Sequence, residues 1–201
     1  MEKQSQASGR FMPLGTARLA LSFAAAMMMT VPVAAQDGFS WRSYAEVGGG
    51  ISVTGGELRP LVALESGIFI GAVELGSYIQ VLPLEFGSPD LVEAAAVAYG
   101  GSVGYTLDTG DNFMQPFGRI GLGGVYTVEA DADGGLSGIG SDKKFSGVLT
   151  LGVALPMSER WSARLWGSYR LTDNAVDFEG EPLSGFNLGA SIRANWTTTI
   201  R

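Results

Sequence analysis

The stretch Gly185-Phe186-Asn187-Leu188-Gly189-Ala190-Ser191-Ile192-Arg193-Ala194-Asn195-Trp196 decides the fold. Phe186, Leu188, Ala190, Ile192, Ala194 and Trp196 are apolar at every second position, and the residues between them are polar or small. Successive side chains of a strand point to opposite faces, so this period predicts a β-strand with one greasy and one wet face. Residues 161–171 repeat the pattern, with Trp161, Ala163, Leu165, Gly167, Tyr169 and Leu171 against Ser162, Arg164, Trp166, Ser168 and Arg170.

Working outward, the same alternation marks residues 41–54, 61–67, 71–81, 93–107, 117–129 and 144–155, which makes eight strands. Gly, Asp, Asn and Pro clusters punctuate them. Short links are expected at 67–70, 108–112 and 156–159, and longer ones at 84–91, 130–143 and 173–184. On the opposite side from the short links, only the connection at 55–59 is brief. No segment after Ser40 keeps a 3.6-residue period.

The composition agrees. The 201 residues include 30 glycines and only 16% charged residues, against averages of about 7% glycine and about 25% charged. The hydrophobic content of 46% and the ten phenylalanines exclude a disordered chain, which is polar and highly charged. With no cysteine and no histidine, disulfides, thiolate metal sites and the commonest general base are absent. A Ser-His or His-Asp hydrolytic site cannot be assembled. Lys143 and Lys144 fall in or beside a loop without an apolar pocket, a poor setting for Ser-Lys chemistry. The chain is therefore expected not to be an enzyme and to hold no cofactor.

Residues 1–35 read as a signal peptide. Lys3, Arg10 and Arg18 precede an apolar run from Leu19 to Val33, and Val33-Ala34-Ala35 is a small-residue cleavage site before Gln36. The run is shorter than the roughly 20 residues a spanning helix needs and contains Pro32, which disfavours a membrane anchor. Of 13 basic and 20 acidic residues, the leader holds three and one (Glu2), leaving 10 against 19. The mature part, 36–201, carries a net charge of −9, which argues against nucleic acid as a partner.

A water-soluble barrel places its apolar face inward. Here the apolar faces carry bulky Leu, Ile, Val, Trp and Tyr, whereas the opposite faces carry small residues and regularly placed charges; residues 94–107 set Ala94, Ala96, Ala98, Gly100, Ser102, Gly104 and Thr106 on one side. Small side chains suit a narrow interior, and the greasy face suits hydrocarbon. In hydrocarbon an unpaired strand edge is not tolerated, so the sheet must close. Aromatic residues on the outward face form two girdles, Trp41, Tyr105, Trp161 and Trp196 at the end with short links and Tyr126, Tyr169 and Phe186 toward the other, the arrangement expected at two membrane interfaces.

The glycine-rich alternating strands, the export signal, the segment Gly71-Ala72-Val73-Glu74-Leu75-Gly76-Ser77-Tyr78 and a last strand ending in an aromatic resemble the small eight-stranded outer-membrane β-barrel family, which includes the outer-membrane protein A transmembrane domain, outer-membrane protein X and the opacity proteins. The resemblance implies an antiparallel up-and-down transmembrane barrel in the outer membrane of a Gram-negative bacterium. Implied partners are outer-membrane lipid and lipopolysaccharide, with the barrel assembly machinery during insertion, and the implied state is a monomer. Family members usually end in Phe or Trp, whereas Trp196 is followed by Thr197-Thr198-Thr199-Ile200-Arg201. Either Trp196 is read from an internal position or the alternation through Thr198 and Ile200 extends the strand.

The wet faces place Glu46, Glu65 and Glu74 against Arg119, Arg164, Arg170 and Arg193 in the lumen. The resemblance implies that these form an ion-paired plug, consistent with the cost of leaving charges unpaired in so narrow a space; the alternative is a gated ion path. Glu129, Asp131 and Asp133, followed by two glycines, and Asp108, Asp111 and Asn112 are oxygen-rich, but they lack the spacing and distal Glu of an EF-hand loop and read as solvated loops. Two functions remain: a structural or surface-interaction protein with a plugged lumen, or a small passive channel. A soluble periplasmic binding barrel is disfavoured by the polarity of the faces. Export of the full chain is expected to yield a polypeptide whose N-terminal sequencing starts at Gln36 and which sediments with outer membrane. Recovery as a soluble periplasmic protein without detergent would contradict the reading.

Overall fold

The computed structural model describes residues 40–87, 91–110, 113–130, 136–137, 144–173, 177–178 and 181–199. Residues 1–35, read above as a signal peptide, Asp111, Asn112, Asp131, Asp133, Lys143 and the side chain of Glu129 lie outside the described residues. Eight long strands make up the body of the protein: β1 (Ser40–Thr54), β2 (Glu57–Ile70), β3 (Val73–Gly87), β4 (Leu91–Thr106), β5 (Gln115–Ala130), β6 (Lys144–Pro156), β7 (Trp161–Thr172) and β8 (Gly185–Thr199). Each pairs antiparallel with its neighbours in sequence, and β1 pairs with β8 from Ser40↔Thr199 to Thr54↔Gly185, which closes the barrel. Closure leaves none of these strands with an open edge. Two-residue strands at Leu136–Ser137, Asp177–Phe178 and Glu181–Pro182 decorate the outer end.

The strands are longer than their sequence pattern predicts, and this shortens two outer connections. β1 and β2 join through Gly55-Gly56 alone, both with positive φ (61° and 80°), the backbone that a two-residue hairpin turn of type I′ requires. The connection expected at 84–91 shrinks because β3 and β4 stay paired as far as Gly87↔Leu91, past an irregularity at Pro83–Phe86. Interstrand hydrogen bonding continues above the apolar band, where side-chain polarity no longer reports membrane depth. The link expected at 67–70 is also displaced: the turn is Gly71-Ala72, with Gly71 at φ 64°.

Gly67 is instead mid-strand, directly opposite Gly76. A methyl group on Gly67 would meet the Gly76 backbone at 2.7 Å and the Tyr44 ring at 2.8 Å, and one on Gly76 would meet the Tyr44 hydroxyl at 2.3 Å. The glycine pair hollows the wall so that Tyr44 can lie in the lumen. At the C-terminal end β8 runs through Thr199, so the alternation beyond Trp196 does extend the strand.

Burial is inverted relative to a water-soluble protein. Arg164 and Arg170 are the largest fully buried side chains, and Glu46, Glu74 and Arg193 are buried too. The exposed set is apolar and includes Val47, Ile51, Leu122, Leu149, Leu151, Leu165, Leu188 and Ile192. A monomer in water rarely shows contiguous apolar surface beyond a few hundred Å², so this belt faces lipid. Trp161, Trp196 and Tyr105 are exposed at the end where the chain enters and Trp41 is half-buried there; Tyr169 and Phe186 are exposed toward the other end, where Tyr126 is half-buried. The outer girdle also contains Phe145 and Tyr99, the latter 5.8 Å from Tyr126, edge to face.

Inside, the two halves differ. The half near the chain's entry is ionic. Farther out, Leu61, Leu82, Leu84, Val125 and Leu183 pack against Ala94, Ala96 and Ala98. This aliphatic filling was not expected from wet faces read as small or polar. Arginine on the lipid face at mid-depth costs roughly 2–4 kcal/mol and near an interface about 0–1 kcal/mol. Leu165→Arg and Leu122→Arg are each expected to lose about that larger amount in urea unfolding from lipid vesicles, and Leu58→Arg, beside the Gly55-Gly56 turn, the smaller. Equal losses at all three sites would contradict the assigned membrane face.

Candidate functional site

The candidate site is the ionic half of the lumen. β1, β2 and β3 supply Glu46, Glu65 and Glu74, and β5, β7 and β8 supply Arg119, Arg164 and Arg193; no side chain of the six is more than 9% exposed. Three carboxylates meet three guanidiniums, so the cluster is electrically neutral. Each residue is aimed inward by strand alternation, and the register does the rest: Glu46 lies opposite Glu65 on one side and Arg193 on the other.

Two carboxylates side by side across a ladder repel. Arg119 spans them, donating from Nη1 to Glu65 Oε2, with Nη2 at 3.5 Å from Glu46 Oε2 and 3.2 Å from Glu74 Oε2. Arg193 donates from Nε to Glu46 Oε2 at 2.9 Å and from Nη2 to Glu74 Oε2 at 2.9 Å, with Nη1 at 2.9 Å from Glu74 Oε1. Arg164 reaches Glu46 Oε2 at 3.4 Å and Glu74 Oε1 at 3.0 Å. Glu46 and Glu74 thus each touch all three arginines, and Glu65 touches Arg119 alone.

Neutral groups satisfy the remaining lone pairs. Ser191 Oγ donates to Glu46 Oε1 at 2.5 Å, Thr106 Oγ1 to Glu74 Oε1 at 2.6 Å and Tyr44 OH to Glu65 Oε1 at 2.7 Å, with Ser102 Oγ 3.3 Å from the same oxygen. Two guanidiniums also lie over aromatic faces, Arg193 at 3.9 Å from the Tyr44 ring centre and Arg164 at 3.9 Å from Phe117. Such stacking adds attraction where water is excluded. Tyr44, Phe117, Thr106, Ser191 and Ser102 were not singled out in the sequence. Their inward parity was legible, but nothing local distinguishes a hydroxyl that caps a carboxylate from one that fills space.

Arg119 sits within the cluster. Arg170 does not join: no carboxylate among the described residues pairs with it, and its Nε donates to the Leu183 carbonyl at 3.1 Å in the outer half. Its place on the wet face was legible; its distance from the glutamates follows from its position at the far end of β7, opposite Gly185.

Space is distributed unequally around the cluster. A cavity of about 40 Å³ lies on its outer side, bordered by Tyr78, Gln80, Arg119 and Trp166. On the other side a vestibule of about 820 Å³ opens, lined by Arg42, Phe69, Arg160 and Asn195, and Arg164, Arg193 and Glu74 border it.

No protein-family model matches the chain, and no curated protein matches its sequence. Solved structures do match in fold. The chain is similar to neisserial surface protein A at 13% identity and a TM-score of 0.60, covering 78% of this chain and 98% of that one. It is also similar to the N-terminal β-barrel domain of Pseudomonas aeruginosa OprF, at 14% identity and a TM-score of 0.54, covering 77% and 97%. The fold is that of the small eight-stranded outer-membrane β-barrels.

Removing one partner of a buried ion pair typically costs about 3–5 kcal/mol, because the other charge is stranded. Glu74→Gln and Arg193→Met are each expected to lower the unfolding free energy of the refolded barrel by about that amount. Glu57→Gln, in an exposed pair with Arg59, is expected to change it by less than about 1 kcal/mol. Equal tolerance at Glu74 and Glu57 would contradict the cluster.

Proposed function

We propose, starting from a closed outer-membrane barrel with an apolar belt and a charged interior, that the protein is a structural or surface-interaction component of the envelope rather than a transport protein. The observation that carries this reading is the neutral cluster: six interlocked charged side chains cross the lumen, and the cavity bordering them on the outer side holds about 40 Å³. An ion entering the vestibule meets guanidiniums already paired with carboxylates, and passage requires breaking several of those pairs at once. The aliphatic packing above narrows the path further, beside buried polar groups that include Ser146, Arg170 and Asn187.

A sealed barrel acts through its outside. Its belt contacts outer-membrane lipid and lipopolysaccharide, and its outer connections are what it presents to the surroundings. The barrel assembly machinery is the partner during insertion, and the complete closure of the sheet supports a monomer. A catalytic role is not proposed, since the chain has no histidine and every carboxylate of the cluster is engaged by arginine.

The passive-channel reading rests on the vestibule, which reaches the cluster from one side. Planar-bilayer recording separates the two. The native protein is expected to show no steady conductance, whereas a version with Glu74→Ala and Arg193→Ala that still inserts is expected to show openings. A large, stable conductance in the unmodified protein would overturn the plug and favour the channel.

A further inference from the structure

The vestibule of about 820 Å³ falls within the range of small-molecule sites, roughly 300–1,000 Å³. It opens at the end with the short connections, the periplasmic side of an outer-membrane barrel. Its floor is the neutral cluster, so the charges that meet an incoming molecule are those of the walls and rim. Arg42, Arg160, Asp108 and Glu159 carry them, and all four are exposed. Two cations and two anions leave the mouth neutral, which gives a simple anion or cation no net attraction. What the mouth offers instead is separation of the two signs.

Arg42 lies on β1, directly across the ladder from Phe69 on β2, and its guanidinium rests 4.5 Å from that ring's centre. Tyr44 packs against Phe69 at 5.3 Å, so the ring beneath Arg42 is itself held. Asp108 begins the link between β4 and β5. In a closed barrel of eight strands that link is on the opposite wall from β1. Gly110 N donates to Asp108 Oδ1 at 2.9 Å, which orients the carboxylate. Arg42 and Asp108 are not paired with each other. Glu159 and Arg160 adjoin in the link between β6 and β7, where their charges balance locally. Asn195 N donates to the Arg160 carbonyl at 2.7 Å, which ties that link to β8. Asn195, Gln115 and Ser158 line the same space with neutral hydrogen-bonding groups.

We propose that the vestibule binds a short zwitterionic peptide, with its terminal carboxylate at Arg42, its terminal ammonium at Asp108, and Asn195, Gln115 and Ser158 serving the peptide groups between. A planar guanidinium takes a carboxylate through two parallel bonds, and an ionised aspartate accepts from an ammonium. A ligand with one charge satisfies one wall and leaves the other uncompensated. The site uses only walls and rim, so it stands whether or not the plug seals the lumen.

The test is titration calorimetry on the full refolded protein in lipid nanodiscs, which leave both ends of the barrel open to solution. The probes are tri-alanine, N-acetyl-tri-alanine, which lacks the ammonium, and tri-alanine amide, which lacks the carboxylate. Tri-alanine is expected to bind, and each capped peptide to bind about tenfold more weakly, the scale of one charge-assisted contact. Arg42→Gln is expected to bind tri-alanine and its amide alike. Asp108→Asn is expected to bind tri-alanine and its N-acetyl form alike, and its side-chain oxygen still accepts from Gly110 N. Neither residue belongs to the plug, and unchanged urea unfolding midpoints confirm that both variants fold. Absence of tri-alanine binding at millimolar concentration, capped peptides that bind as tightly as the free one, or preferences that survive in both variants would each overturn the proposal.

Discussion

The attraction between three buried carboxylates and three buried guanidiniums is the constraint on which the rest of the interior depends. In an enclosed lumen each unpaired ion would cost several kcal/mol, so geometry must bring every charge to a partner. Glu46 and Glu65 face each other across a ladder and would repel, yet Arg119 reaches both and Glu74 as well. Much of the surrounding sequence serves this requirement. The Gly67–Gly76 hollow admits Tyr44, whose hydroxyl completes Glu65 and whose ring supports Arg193.

The cluster also links strands that the sheet does not pair. Arg164 on β7 bonds Glu74 on β3, and Arg119 on β5 bonds Glu65 on β2. Backbone ladders alone specify register weakly, because a slip by one residue preserves hydrogen bonding while turning every side chain to the other face. Here such a slip on β1, β3 or β8 would push a charged residue into hydrocarbon and a bulky aliphatic one into the lumen. The ionic interior and the apolar belt therefore enforce the same register from opposite sides of the wall.

The alternation in β7 and β8 made the architecture legible, since a two-residue period with one greasy face has few explanations when the other face bears arginines. Lumen parity was legible for the same reason, and it brought Glu46, Glu65, Glu74, Arg119, Arg164 and Arg193 into one set. What was not legible depends on height along the barrel. Arg170 shares a face with Arg164, but it lies six residues farther along β7, outside the reach of the glutamates. Strand ends were not legible where pairing continues past the alternating pattern, as in β3 and β4. The aliphatic outer half was hidden because Leu82 and Leu84 look like belt residues until register places them inside.

A double-mutant cycle on Glu74 and Arg193 tests most directly whether the cluster is one coupled unit. Residues in one buried ionic network show interaction energies of about 0.5–3 kcal/mol, while independent sites add within about 0.5 kcal/mol. With unfolding free energies measured in the same vesicles, the loss in the double variant Glu74→Gln, Arg193→Met is predicted to fall short of the summed single losses by an amount in that first range. Simple additivity would mean that the two side chains do not stabilise one another, and would contradict the account.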